Sequence, residues 1–186
     1  MLMQTLTFLD VEASGLDDES YPIQIGWIDT NGDYDEFLIN PETASSWTYW
    51  NKIAEKKYHG LTRERCVKEG LSIFDAAQRL NRLLRGVVVT SDAPDYDTFW
   101  IIKLMNECGC EPSFCIQDVR ELLNSLQVPL TPFFAERKLR IPEHNALSDC
   151  VRNIHSGAAC GYWGVSDEFT SEFGEPQILV LDKELS

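Results

Sequence analysis

Alternating apolar and polar positions open the chain. Residues 5–12, Thr-Leu-Thr-Phe-Leu-Asp-Val-Glu, read as a strand whose Leu6, Phe8, Asp10 and Glu12 share one face at the two-residue period of extended backbone. Residues 22–29 and 34–39 read as two more strands, joined at Asn31-Gly32, a dipeptide suited to tight hairpins. The next segment, 48–58, reads as a helix that ends at His59-Gly60. The clearest helical period runs from Ser72 to Arg85, where Ile73, Phe74, Ala76, Ala77, Leu80, Leu83 and Leu84 form an apolar face. Ser72 with Asp75 makes a capping pair there, and Gly86 stops the helix. Val87 to Thr90 is a short buried strand, and Pro94 opens a helix that reaches Cys108-Gly109. Phe114-Cys115-Ile116 is a fifth strand, followed by helices near 118–126, 131–138 and 145–160. Gln177 to Leu181 suits an edge strand or a short helix. The pattern predicts an α/β fold: a mixed five-stranded sheet, three antiparallel strands and then parallel ones, flanked by helices.

Length and composition narrow the picture. The 186 residues, 44% of them hydrophobic, fit one domain, with a core over about 5–160 and an acidic C-terminal tail over about 166–186. No run of eighteen apolar residues occurs, so no membrane partner is expected. The start carries neither a basic segment nor an apolar signal core, and a cytoplasmic location is expected. The six cysteines are then free thiols in a reducing compartment. Zinc held by Cys108, Cys110 and Cys115 is the minor reading, because their spacing is not that of a CxxC pair.

The formal net charge is −14, unevenly spread. Residues 1–51 carry ten acids and no Lys or Arg, residues 166–186 carry six acids and one Lys, and the middle stays near +1. This counts against a protein that coats long nucleic acid through a basic face. A near-neutral middle could hold a polyanion where metal ions cancel carboxylates, which favours distributive action on short ends.

Three places carry candidate chemistry. Asp10 and Glu12 continue the apolar stripe of Leu6 and Phe8, so two acids end a face that otherwise enters the core. Desolvating adjacent carboxylates is costly without a cation, and paired hard oxygen ligands suit Mg²⁺ or Mn²⁺. Asp97 lies where the fourth strand turns into a helix; Asp92 is the best cap there, and Asp92 or Asp95 could share the role given to Asp97. His144 and Asp149 would diverge by about 140° if both were helical. Asn145 is a good N-cap, which puts His144 before the helix and Asp149 inside it, so that the two can converge.

Together these segments resemble the DEDDh branch of the 3′→5′ exonucleases. The first motif stands as Phe8-Leu9-Asp10-Val11-Glu12-Ala13-Ser14-Gly15-Leu16, the second as Tyr96-Asp97, the third as His144 to Asp149. His59-Gly60-Leu61-Thr62 matches a further element of that family. The resemblance implies a ribonuclease-H-like fold and phosphodiester hydrolysis with a pair of Mg²⁺ or Mn²⁺ ions. It implies Asp10, Glu12, Asp97 and Asp149 as metal ligands and His144 as the base that takes a proton from water. It also implies substrate contacts from Glu12, Ala13, Ser14, Leu16 and His144. Ala13-Ser14 stands where relatives often have Thr-Thr or Thr-Ser, and Ser91-Asp92-Ala93 where they have His-Asn-Ala.

The expected partners are 3′ ends of single-stranded DNA or RNA, or short oligonucleotides, and a homodimer is a candidate assembly. The alternatives are a catalytically silent binding module on the same fold and an endonuclease of ribonuclease H type. Trp27, Trp47, Tyr49, Trp50, Phe99 and Trp100 could stack on bases but read mostly as core or helix-face residues, with Trp47 and Trp50, near the loop before His59, as the exceptions. Arg137, Lys138 and Arg140 read equally as a phosphate-backbone contact or as a solvated helix end.

Overall fold

Strand β1 (Thr7–Ala13) occupies the middle of a five-stranded sheet. It pairs antiparallel with β2 (Pro22–Asp29), which pairs antiparallel with β3 (Tyr34–Leu38). On its other edge β1 runs parallel to β4 (Val88–Ser91), which runs parallel to β5 (Cys115–Asp118). The order β3-β2-β1-β4-β5 is the ribonuclease-H-like arrangement expected from the strand pattern. The structure, a computed structural model, describes residues 4–177 and Leu179. Most of the expected element over Gln177 to Leu181 lies outside the described residues.

Both faces of β1 are covered. Leu9, Val11 and Ala13 pack with α3 (Ile73–Leu83) and α4 (Pro94–Glu107). Leu6 and Phe8 pack with α5 (Val119–Ser125), α6 (Leu130–Leu139), α7 (Ala146–Ala159) and α8 (Asp167–Phe173). Each large apolar side chain so buried contributes ~1.5–3 kcal/mol. A one-residue slip of β1 would exchange its two faces and drive Asp10 and Glu12 into the α3/α4 core, so the register is firmly set.

Several expectations are corrected. The helix expected over 48–58 starts later, as the short α1 (Lys52–Ala54) running into a single π turn at Glu55–His59. Asn51 caps it by accepting from the Ile53 and Ala54 amides, while its own N–H is held by the Ser14 carbonyl at 2.8 Å. Gly60, at φ 66°, ends the turn. A further helix, α2 (Arg63–Glu69), follows a Thr62 cap that the sequence reading passed over. In α3 the Ser72 cap sets the phase, so Ile73, Ala76, Ala77, Leu80 and Leu84 are buried while Phe74 and Leu83 stay exposed. Asp92 does not cap α4; Ala93 precedes that helix, with its amide held by the Ser91 hydroxyl at 2.9 Å.

The acidic tail is anchored in its first part. Ser166 caps α8 and donates its amide to the Thr30 carbonyl at 2.9 Å, and Phe169 is fully buried against the sheet. All six cysteines are free thiols, and Cys108, Cys110 and Cys115 do not gather into a metal-ligating group among the described residues. No helix among the described residues is long and apolar enough to cross a membrane.

Candidate metal centre

The site is assembled by one close approach. Gly26 of β2 lies opposite Asp10 of β1. A Cβ added at Gly26 would fall 2.4 Å from the Leu147 amide nitrogen and 2.7 Å from the Ala146 carbonyl carbon. Bare backbone at this position therefore lets the first turn of α7 rest directly on the sheet. Polar contacts then pin that turn. The Ala146 amide donates to Gln24 Oε1 at 3.2 Å, and both Gln24 Nε2 and Asn145 Nδ2 donate to Glu36 Oε1, at 3.1 and 2.8 Å. Asn145 caps α7 by accepting from the Ser148 amide at 3.0 Å.

His144 precedes this cap in the left-handed region, at φ 52°. That conformation costs a residue with a Cβ ~1–2 kcal/mol. It turns the chain so that His144 and Asp149 converge instead of diverging around the helix. One ligand atom each from Glu12, His144 and Asp149 lies within 4.8 Å of the others. On the opposite strand pair, the β1–β2 register slips between Glu12 and Ala13, a bulge that re-aims the strand end beside the site.

Asp97 comes from the first turn of α4 and is almost wholly buried. Its carboxylate accepts a hydrogen bond from the Ser91 hydroxyl. Asp10, Glu12, Asp97, His144 and Asp149 thus line one cleft of about 370 Å³. The structure brings together all five residues singled out from the sequence. Of the two other acids considered, Asp95 is exposed and lines an outer groove, while Asp92 lines the cleft but is paired with Arg137.

Burial and crowding shift these acids upward. Asp10 is held well above the usual carboxylate range, first by desolvation and then by Asp97, Glu12 and Asp149, with Arg137 opposing. Glu12 is pushed up to about 7 by desolvation and the charge of Asp149. Asp97 is pushed up to about 7 by desolvation, against the Ser91 hydroxyl bond and the nearby Val11 amide. Asp149 rises by desolvation, with Arg152 and His144 opposing. The bare cluster therefore retains protons near neutrality, and a divalent cation would replace them. Asp149 Oδ1 is buried without a hydrogen-bond partner among the described residues; Arg152 Nη1 reaches it only as an ion pair at 3.7 Å, which leaves its lone pairs available to a cation. Glu12, His144 and Asp149 are within ligand reach of one another, with Asp10 and Asp97 lining the same cleft, and carboxylate oxygens of this kind suit a hard divalent ion.

A second cleft of about 380 Å³ adjoins the first, sharing Glu12, Leu16, Trp100 and His144. Its walls are mainly apolar: Ala13, Leu16, Ile53, Ala54, Tyr58 and Trp100. Leu16 is 67% exposed and projects at the boundary, and Tyr58 meets the His144 ring edge-on at 5.4 Å. His59 also lines this cleft, its Nδ1 accepting from the Leu61 amide at 3.0 Å. Ser14, expected as a substrate contact, does not line either cleft. It is fully buried, its hydroxyl accepts from the Tyr21 amide at 3.2 Å, and it stabilises the turn behind the site.

Of the two expected stacking residues, Trp47 is corrected, whereas Trp50 is half-buried. Trp47 is buried and stacks on Tyr21 at 4.9 Å, and Trp50 donates to Glu55 at 2.6 Å. The aromatics exposed near the clefts are Tyr58, Tyr96 and Phe99. The sequence reading missed Gly26, Gln24, Arg152 and Asn153. Two had a readable signal: an isolated glycine in a buried strand marks a close backbone approach, and Arg152 lies three residues past Asp149 on the same helix face.

No protein-family model matches the chain, and no curated protein matches it. Solved structures do. A zinc-bound form of E. coli exonuclease I in complex with single-stranded DNA matches with a TM-score of 0.61 at 17% identity, covering 82% of this chain and 39% of that one. E. coli exonuclease I in complex with a dA16 oligonucleotide gives 0.63 at 16% identity, with 84% and 41% covered. An apo exonuclease I gives 0.62 at 15% identity, with 91% and 42% covered. The chain thus shares its fold with these proteins and spans about two fifths of their length.

Proposed function

We propose that the chain is a divalent-metal-dependent 3′→5′ exonuclease that hydrolyses phosphodiester bonds at 3′ ends of single-stranded or short nucleic acids and releases nucleoside 5′-monophosphates. The observation that carries this reading is the convergence of Glu12, His144 and Asp149 within 4.8 Å, in one cleft with Asp10 and Asp97. The fold shared with exonuclease I, which is bound to single-stranded DNA in its own structures, supports the same class of substrate.

Asp10, Glu12, Asp97 and Asp149 are the residues to hold a pair of Mg²⁺ or Mn²⁺ ions. When bound, such ions supply Lewis acidity to a water and neutralise charge on the phosphoryl oxygens. His144 accepts the proton of the attacking water, a task suited to an imidazole at the cleft mouth. The Ser91 hydroxyl holds the Asp97 carboxylate in a fixed orientation. Ala13, Leu16 and Tyr58 offer the terminal nucleoside an apolar seat, and Glu12 meets its 3′ hydroxyl. Asp17, Asp18 and Asp95 line the outer groove and disfavour a long phosphate backbone, consistent with weak, distributive action on short strands.

The test is a 5′-labelled single strand of DNA and of RNA incubated with Mg²⁺ or Mn²⁺. A descending ladder that EDTA abolishes is expected. His144→Asn should lose ~10²–10⁴-fold in kcat. Asparagine is the suitable replacement because it tolerates the left-handed backbone. Turnover that survives chelation would refute the metal reading, an internal cut would indicate an endonuclease, and intact substrate a silent binding module.

A further inference from the structure

Arg137 lies near the end of α6 and lines the carboxylate cleft with Asp10 and Asp149. Its guanidinium is held on two sides. Nε donates to Asn153 Oδ1 at 2.8 Å, Nη2 pairs with Asp92 Oδ2, and Asn153 Nδ2 closes the ring on Asp92 Oδ1 at 3.3 Å. The three side chains come from α6, α7 and the turn after β4. Arg152 adds a fourth constraint by donating to the Arg137 carbonyl at 3.1 Å. The Arg137 side chain remains 23% exposed, and its other N–H groups have no hydrogen-bond partner among the described residues.

We propose that Arg137 binds a phosphate oxygen of the nucleotide at the metal centre, with Asp92 and Asn153 as positioning residues that aim its guanidinium. The inference rests on the nuclease reading and adds a residue that reading does not use. Three observations carry it. The chain has a net charge of −14, so phosphate recognition must come from local cations, and Arg137 and Arg152 are the arginines lining this cleft. A guanidinium needed only to neutralise the cluster would pair with a metal-set carboxylate, whereas Arg137 pairs with Asp92, outside that set. A planar fork fixed by two partners loses little freedom on taking an oxyanion.

Calorimetric titration of the Mn²⁺-loaded protein with a nucleoside 5′-monophosphate, and separately with the nucleoside, tests this. The wild type should bind the monophosphate. Arg137→Gln should weaken that binding about 10- to 100-fold, the loss of a charge-assisted hydrogen bond. Its nucleoside affinity should not change, and its Mn²⁺ affinity should not fall. Arg137→Lys keeps the charge without the fork and should recover only part of the loss, and Asp92→Asn should weaken monophosphate binding with Arg137 intact. Thermal melts check that each variant folds; if Arg137→Gln does not, the Lys and Asp92→Asn variants carry the test. Equal monophosphate affinity in the wild type and the variants overturns the inference and leaves the nuclease reading standing. Full recovery by lysine overturns the positioning role. A Mn²⁺-loaded wild type that binds no monophosphate overturns both.

Discussion

Substituting Gly26 by alanine should dismantle the metal centre without touching any of its ligands. The added methyl would lie 2.4 Å from the Leu147 amide and 2.7 Å from the Ala146 carbonyl carbon. Both obstacles are backbone, so no side chain can rotate away. Restoring 3.4 Å, the near edge of ordinary contact, requires the first turn of α7 to retreat by about 1 Å. Overpacking of this kind costs ~1–3 kcal/mol. At ~2–4 °C per kcal/mol for a chain of this size, the melting temperature should fall by ~2–12 °C. The retreat also carries His144 and Asp149 away from Glu12, and a misplacement of ~1 Å can cost ~10²-fold in rate. Calorimetric Mn²⁺ titration, a thermal melt in EDTA and the ladder assay would read the three effects. Gly109→Ala is the control. Gly109 has a φ of 64° with nothing within 4 Å of an added Cβ, so alanine there should cost ~1 kcal/mol of strain and leave Mn²⁺ affinity unchanged. Wild-type Mn²⁺ affinity in Gly26→Ala would refute the close-approach argument.

Further outcomes follow from the same geometry. Glu12 has a folded-state pKa raised from 4.5 to about 7, so its contribution to stability is present below about pH 4.5 and is lost as pH rises through 7. The metal-free protein should thus lose up to ~3 kcal/mol from this group across that window, read as urea midpoints in EDTA, and Glu12→Gln should remove that part of the pH dependence. An identical pH profile in wild type and Glu12→Gln would contradict the assigned crowding. Saturating Mn²⁺ should abolish the same loss, because ion binding favours the ionised carboxylates. Phe169→Ala should destabilise the fold by ~3–5 kcal/mol in a denaturant titration, since the ring is fully buried beneath α8. An unchanged midpoint would mean that α8 is dispensable.

Local periodicity made much of the architecture readable. The strands of β1 to β3, the Ser72 cap, the Pro94 helix start and the Asn145 cap are decided by residues a few positions apart, and each was recoverable from spacing alone. The same holds for the side-chain parity that puts Asp10 and Glu12 on one face of β1. Period fixes which face a residue takes, but not what packs against that face. Trp47 reads as a loop aromatic and is core because Tyr21 lies beneath it. The resemblance implies Ser14 as a substrate contact, yet it is buried because Tyr21 and Asn51 claim its polar atoms. The residues after 166 read as an acidic tail, yet Phe169 fills a gap against the sheet.

The candidate site divides in the same way. Its five carboxylate and imidazole residues are visible as motifs in the chain. Their convergence is a tertiary event, since the Gln24–Ala146 and Gly26–Leu147 contacts join segments more than a hundred residues apart. Arg137 is equally undecided in one dimension. A helix-end arginine faces water unless something draws it inward, and only the fold brings Asp92 and Asn153 to do so. The sequence by itself determined the elements and the chemistry they carry. The docking of α7 on β2 decided that this chemistry shares a single cleft, because backbone contact at Gly26 is a property of two surfaces meeting and of neither strand nor helix alone.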